Sequence, residues 1–331
     1  MTSLDKTTNR AAVYAEPGTT KIEIQELPIP QPAAGEILSI FRRQIGGHEG
    51  VGEVVAVGEG VRSVPTGSKV GIKYTADACL NCENCLIGGE SSCTSAKISG
   101  YMTPGTFQQF CITSAQYATP IPDSLDLAEA APLMCGGVSV YAGLKRSGMQ
   151  IGDWVVVSGA GGGLGHLAIQ YARAMGAWVV AIDAGSKEKF CRELGADEFV
   201  DFAKFDDDNS LAHHIQSVTR GGAKVALICA ASGKAYSQAP HWLRFRGCVV
   251  ALGIPSESVG QVVSIFQFVS LELRLIGVKT GSRLEVMECL DIAARGLVKT
   301  KLQLRKLEEL ESVFHEMHGG NTVGRVVLDL R

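Results

Sequence analysis

Between residues 153 and 183 the chain reads DWVVVSGAGGGLGHLAIQYARAMGAWVVAID, and the period of its apolar positions changes twice. Trp154 to Ser158 is a short β-branched run, which predicts a buried parallel strand. Glycines crowd residues 159–165. From Leu164 the apolar residues recur at helical spacing through Leu167, Ala168, Tyr171 and Met175, and Gly176 supplies the stop. Residues 178–182 repeat the strand pattern and end on Asp183, so the stretch is expected to form a βαβ unit.

The alternation continues downstream. Helices are expected at 187–194, 211–219, 234–245 and 262–269, and strands at 199–202, 225–230, 248–253 and 273–278. Six strands with helices between them specify a doubly wound parallel sheet, because right-handed crossovers cover both faces. A further helix is expected at 283–295, stopped by Gly296. A last strand at 324–330 has no crossover partner in this pattern and is expected to return to the N-terminal region. Upstream the texture differs. Residues 11–30 alternate as two short strands around Pro17 and Gly18, and Pro28, Pro30 and Pro32 mark an extended connector. Residues 35–40 start another strand, and residues 45–72 break short valine-rich strands with glycines, as in a small β-barrel. A helical segment begins at 126–131.

The glycine-rich turn carries the first chemical expectation. Aligned on Gly162 and Gly165 it reads A-x-G-x-x-G, through Ala160, Gly161, Gly162, Gly163, Leu164 and Gly165. Such a turn lets a pyrophosphate approach the backbone at a helix N-terminus, where free N–H groups and the dipole favour an anion. Asp183, 18 residues past Gly165, can accept from both hydroxyls of a ribose. No arginine follows in Ala184, Gly185 or Ser186, which favours NAD over NADP, although Lys187 lies within reach of a phosphate.

Composition narrows the rest. With 331 residues and 46% hydrophobic content, two domains and ample core are expected. A net charge of −3 implies no general attraction to nucleic acid or to an anionic membrane. No apolar run has the length of a membrane span, and MTSLDKTTNR lacks the apolar core of a secretory signal, so a cytoplasmic protein is the expectation. The ten cysteines then need a reason other than disulfides. Cys79, Cys82, Cys85 and Cys93, separated by turn-forming residues, can wrap one tetrahedral Zn²⁺ with no open position. A redox-active dithiol or clustered buried thiols are the alternatives. Cys191, Cys229, Cys248 and Cys289 fall on apolar faces and read as core, and Cys111 as a small buried hydrophobe.

Taken in order, GGHEGVG, the cysteine lobe, APLMCGG and SGAGGGLG make the chain resemble the zinc-containing medium-chain alcohol dehydrogenases, and among them the fungal enzymes. The resemblance runs from Ala11 to Arg331 and includes GIK at 71–73, SGYMTPGTFQQ at 99–109, ARGLVK at 294–299 and VGRVV at 323–327. It implies an α/β protein. A shortened GroES-like β-barrel catalytic domain would occupy 1–137, with its zinc lobe at 79–93, and a Rossmann NAD-binding domain 138–278. A segment at 279–331 would return to the first domain. The family's homo-oligomers, usually tetramers, imply a tetramer or dimer. Cys79, Cys82, Cys85 and Cys93 match the structural zinc site. His48 and Cys135 match two ligands of the catalytic zinc, and Glu49 the acid beside that histidine. Arg325 looks like the arginine that reaches the cofactor phosphates.

One segment departs from the family. Residues 39–45 (SIFRRQI) stand where the family has a strand, a Cys-His-Thr-Asp motif and a pocket loop, so the first zinc ligand and the proton relay are missing. Arg42 and Arg43 would shield the strand edge this leaves. Three readings follow. A zinc at His48, Cys135 and Glu49 polarises an alcohol or carbonyl oxygen while hydride passes to or from NAD. Alternatively, the chain is a reductase of enones or quinones without catalytic zinc. In the third, it is a catalytically silent paralogue that binds nucleotide.

Overall fold

The alternation along residues 11–30 becomes a hairpin in the computed structural model, which describes residues 8–16, 18–37, 45–255, 265–319 and 322–330. Strand β1 (Thr8–Tyr14) pairs antiparallel with β2 (Ile22–Pro28), with Ala12 opposite Ile24. Short strands follow: β3 (Glu36–Ile37), β4 (Gly50–Glu53), β5 (Lys69–Ile72) and β6 (Thr75–Asp77). A one-turn helix α1 (Glu83–Leu86) lies in the cysteine lobe, and β7 (Lys97–Ile98), β8 (Thr113–Ser114) and β9 (Thr119–Pro120) complete this region. They form small antiparallel sheets, β3-β8, β4-β5-β9 and β6-β7. Asp126 caps α2 (Leu127–Ala130) by accepting from the Ala128 amide at 2.8 Å.

Helix α3 (Gly136–Ser147) leads into β10 (Trp154–Ser158), α4 (Gly165–Ala174) and β11 (Trp178–Asp183). The chain continues with α5 (Glu188–Glu193), β12 (Glu198–Asp201), α6 (Asp208–Val218), β13 (Ala223–Ile228), α7 (Gly233–Gln238), β14 (Leu243–Ala251), α8 (Ile265–Ser270) and β15 (Arg274–Gly277). The six strands make one sheet in the order β12-β11-β10-β13-β14-β15, parallel throughout. Val155, Val156 and Val157 are fully buried, as a strand covered on both faces requires. Each such valine contributes roughly 1.5–3 kcal/mol of transfer free energy.

Beyond shifts of a few residues at strand ends, three features depart from the sequence expectation. The helix expected at 234–245 is shorter: α7 passes into a 3₁₀ turn (Ala239–Trp242), and β14 already begins at Leu243. Pro240 inside that turn cannot continue the α-helical bonding, which explains the early stop. Helix α6 starts at Asp208, three residues early, because Asp207 caps it in a reciprocal box with Ser210. Finally, the last strand does have a crossover partner. After α9 (Arg283–Ala294), β16 (Leu302–Lys306) is linked by α10 (Leu310–His318) to a parallel neighbour, β17 (Arg325–Asp329). The apolar residues of β16 are too few to announce a strand.

Two compact units result: Met1–Cys135 with Gly281–Ala294 and Thr300–Arg331, and Gly136–Thr280 with Arg295–Lys299. No single helix is long and apolar enough to cross a membrane among the described residues. Of the departing segment at 39–45, only Ile45 belongs to the described residues, and it is buried. The remainder, including Arg42 and Arg43, lies outside them.

Candidate functional site

In the second unit the glycine turn closes against neighbouring backbone. Gly159 takes φ +70°, which favours glycine, and a Cβ there would meet the Ala230 amide nitrogen at 2.9 Å. A Cβ on Gly165 would lie 2.1 Å from the Gly159 carbonyl oxygen, so the first turn of α4 can approach the loop only with glycine. Ala160 is fully buried, which accommodates its methyl where the fingerprint usually has glycine. Gly162 differs: its nearest obstacle is the Gly159 oxygen at 3.3 Å, with otherwise open space. Gly163 and Leu164 complete the turn, and the Gly162 carbonyl accepts the amide of His166 at 3.0 Å.

Asp183 ends β11 directly beside this turn. Its carboxylate accepts from the Gly161 amide at 2.8 Å and from the Ala184 amide at 2.8 Å. The Lys187 ammonium stands 3.6 Å away, and its alkyl chain covers Gly161. Thus the residues named from the fingerprint and from the acid after it are brought together, with the lysine tied to the acid.

In the first unit the four lobe cysteines converge. All four sulfurs lie within 4.8 Å of one another. Individual separations are 3.5 Å for Cys82–Cys85, 3.5 Å for Cys79–Cys93 and 3.9 Å for Cys79–Cys85. A tetrahedron with Zn–S bonds of about 2.3 Å has edges of about 3.8 Å, so the donor set fits zinc in both chemistry and size. The Ser95 amide donates to Cys93 Sγ at 3.3 Å, the kind of contact that steadies a thiolate. The thiols are inequivalent. Amides of Asn81 and Cys82 draw Cys79 down to about 6, whereas burial pushes Cys85 up to about 12.

His48, Glu49 and Cys135 also fall in this unit but are not gathered in the same way. Among the described residues the cysteine lobe is the one close group of metal-ligating side chains. Tyr74 lies edge-on to His48 with ring centroids 5.3 Å apart, and its phenol is raised by burial, by Tyr101 and by Cys135. Burial holds the His48 imidazole below its usual range; Glu49 opposes the shift and Arg325 adds to it. The Glu49 carboxylate is engaged by the Arg325 guanidinium in a hydrogen-bonded ion pair across 276 residues of sequence. Glu49, expected as the third zinc ligand, and Arg325, expected at the cofactor phosphates, thus satisfy each other here. Among the described residues, His48, Glu49 and Cys135 are not drawn into one close ligand group as the four lobe cysteines are.

Several residues at these sites escaped the sequence reading. Tyr74 and Tyr101 surround His48, the latter at 6.4 Å. Lys73 and Arg283 meet at the Tyr117 ring, and Arg283 pairs with Glu90 of the cysteine lobe. A lysine following the apolar run KVGI was the available signal, since an ammonium at the end of a buried strand needs a reason. Cys111 is half-buried and donates to the Gly105 carbonyl at 3.3 Å, with burial pushing its thiol to about 12, so it stays neutral.

Residues 20–123 match the alcohol dehydrogenase GroES-like domain, and residues 163–295 match the zinc-binding dehydrogenase family. The chain is 41% identical to Alcohol dehydrogenase 2 of Emericella nidulans over 97% of each chain. It is 36% identical to an alcohol dehydrogenase of Schizosaccharomyces pombe, again over 97% of each. Among solved structures, the alcohol dehydrogenase of the hyperthermophilic archaeon Aeropyrum pernix superposes with a TM-score of 0.82 at 26% identity, covering 96% of this chain and 99% of that one. With barrel-type domain, cysteine lobe and glycine cradle all accounted for, the chain belongs to the zinc-containing medium-chain alcohol dehydrogenase family.

Proposed function

We propose that the protein interconverts an alcohol and its aldehyde or ketone, passing hydride between the substrate carbon and NAD. The observation that carries the cofactor half is the Asp183 carboxylate held at 2.8 Å from the Gly161 amide. That contact puts a ribose acceptor beside the amides that would cradle a diphosphate. The alcohol half is supported by the 41% identity to Alcohol dehydrogenase 2. On this reading the second unit is the NAD-binding domain and the first the catalytic domain. The four lobe cysteines hold a zinc that shapes the loop and takes no part in the chemistry. Oligomerisation is part of the proposal. β15 lies at one end of the six-stranded sheet, Leu275 on it is 49% exposed, and Phe266 and Val269 of α8 are also exposed. Such an edge is a template for pairing with a second copy. A cytoplasmic location completes the proposal.

The ion pair between Glu49 and Arg325 favours a second reading, a reductase that works without catalytic zinc. Metal content separates the two. Two zincs per chain in the purified protein, one of them lost in His48→Ala, support zinc-assisted alcohol oxidation. One zinc per chain, with NADH consumed on an enone or quinone, supports the reductase. The shared cofactor proposal is tested by Asp183→Asn. Losing a charge-assisted hydrogen bond should weaken NADH binding about 10- to 100-fold. Unchanged calorimetric affinity would remove the basis for both readings.

A further inference from the structure

Two cations behind the cysteine lobe occupy positions that their local structure disfavours. Lys73, between β5 and β6, is 5% exposed, and its ammonium has no hydrogen-bonded or ion-pair partner among the described residues. Arg283 opens α9, where the positive end of the helix dipole repels a cation. The capping there is already done by Ser282 and Glu285: the Ser282 amide donates to the Glu285 carboxylate at 2.7 Å, and the Glu285 amide to Ser282 Oγ at 3.2 Å. Some other group must therefore favour both charges.

Both side chains converge on Tyr117. The Lys73 ammonium lies 5.1 Å from the ring centroid, and the Arg283 guanidinium carbon 5.6 Å from it. Tyr117 is buried in one apolar cluster with Ala78, Cys85 and Cys93, so one ring packs with two of the lobe cysteines and is approached by both cations. Glu90, buried beside them, accepts from Arg283 Nε at 3.1 Å through Oε1, while its Oε2 has no hydrogen-bond partner. If the lobe held four neutral thiols, this pocket would contain two positive charges and one negative. A zinc with four thiolates adds a net charge of about minus two, which reverses the imbalance and gives each buried cation an electrostatic reason to be there.

We propose that Lys73 and Arg283, gathered at the Tyr117 ring, are the counter-charges of the zinc–tetrathiolate at Cys79, Cys82, Cys85 and Cys93 and act as positioning residues for retention of that metal. The proposal rests on the structural-zinc reading above. Burial ranks the two residues. Lys73 is 5% exposed, whereas the Arg283 side chain is 43% exposed and more strongly screened by water, so Lys73 carries more of the effect.

The test uses the full-length zinc-loaded chain and follows transfer of zinc to excess chromogenic chelator by absorbance. Lys73→Met and Arg283→Met should release the lobe zinc at least about tenfold faster, the scale on which groups supporting a metal's ligands act, with Lys73→Met the faster. Arg283→Lys preserves the charge and should release zinc more slowly than Arg283→Met, a comparison that stays decisive even if Lys73→Met fails to fold. In the cobalt-substituted chain, the thiolate-to-metal charge-transfer band should move to lower energy when a cation is removed. Wild-type release rates and an unshifted band in Arg283→Met, or equal rates in Arg283→Lys and Arg283→Met, would overturn the proposal. A wild-type chain whose zinc content is indifferent to Cys93→Ser would instead overturn the zinc reading on which it stands.

Discussion

Gly162 and Gly165 stand three residues apart in the same turn, yet their substitution by alanine should fail in different ways. At Gly165 the added methyl would lie 2.1 Å from the Gly159 oxygen and 2.6 Å from Ala160 Cα, all backbone, so nothing can rotate aside. Ordinary contact begins at 3.4 Å, leaving α4 to retreat by over an ångström. Overpacking of this kind costs about 1–3 kcal/mol, against at most about 1 kcal/mol gained from helix propensity. At Gly162 the methyl meets a single oxygen at 3.3 Å, which relaxation of a few tenths of an ångström relieves, so folding should be nearly unaffected. What Gly162→Ala does occupy is open space that the proposal reserves for the cofactor diphosphate. A tenfold or greater loss of NADH affinity, about 1.4 kcal/mol or more, is expected. The protein suits this comparison because all three tryptophans, Trp154, Trp178 and Trp242, fall in the second unit. Urea titration by tryptophan fluorescence therefore reports on the unit that carries the turn, and energy transfer to NADH reports binding. Gly165→Ala unfolding at the wild-type midpoint would refute the packing argument. Gly162→Ala binding NADH like wild type would refute the placement of the diphosphate.

Metal removal by a strong chelator should open residues 79–93 to limited proteolysis while leaving the tryptophan unfolding transition in place, because the lobe has little apolar core of its own; mass spectrometry of the fragments checks this. Lys73 gives a pH signature in the metal-stripped chain. Burial lowers its ammonium from 10.5 to about 8, so the stability linked to its neutral form is present above 10.5 and lost as pH falls through about 8. Lys73→Met should flatten that part of the stability profile, by up to about 3 kcal/mol across the window, as measured by denaturant midpoints at matched pH. Glu49→Gln should leave the Arg325 guanidinium without its anionic partner and lower the thermal midpoint of the first unit, whereas the double change with Arg325→Gln should recover part of the loss.

Much of the fold and part of the candidate site are legible in the sequence, and the division has a physical basis. Periodicity is a local property, so the run at Trp154, the helical recurrence from Leu164 and the cysteine spacing each announce themselves within a few turns of chain. The turn residues Gly159 and Gly165 are legible because backbone geometry permits little else there. Harder to see was β16, whose partner β17 lies beyond a helix and whose own pattern is weakly apolar. Pro240 cut α7 short by a backbone effect that a helical count overlooks.

Pairings between distant residues were decided by tertiary structure alone. Nothing near Glu49 in sequence indicates Arg325, and nothing near Lys73 indicates Tyr117 or Arg283. A charged side chain is attracted to whatever the assembled elements place beside it, and that neighbour depends on every strand between them. Residue types and their spacing therefore determined the chemical groups on offer: a glycine-rich turn followed by an acid, and four closely spaced thiols. The packed chain decided that Glu49 meets Arg325 and that Lys73 and Arg283 meet at Tyr117, because Coulomb interactions and desolvation act through space.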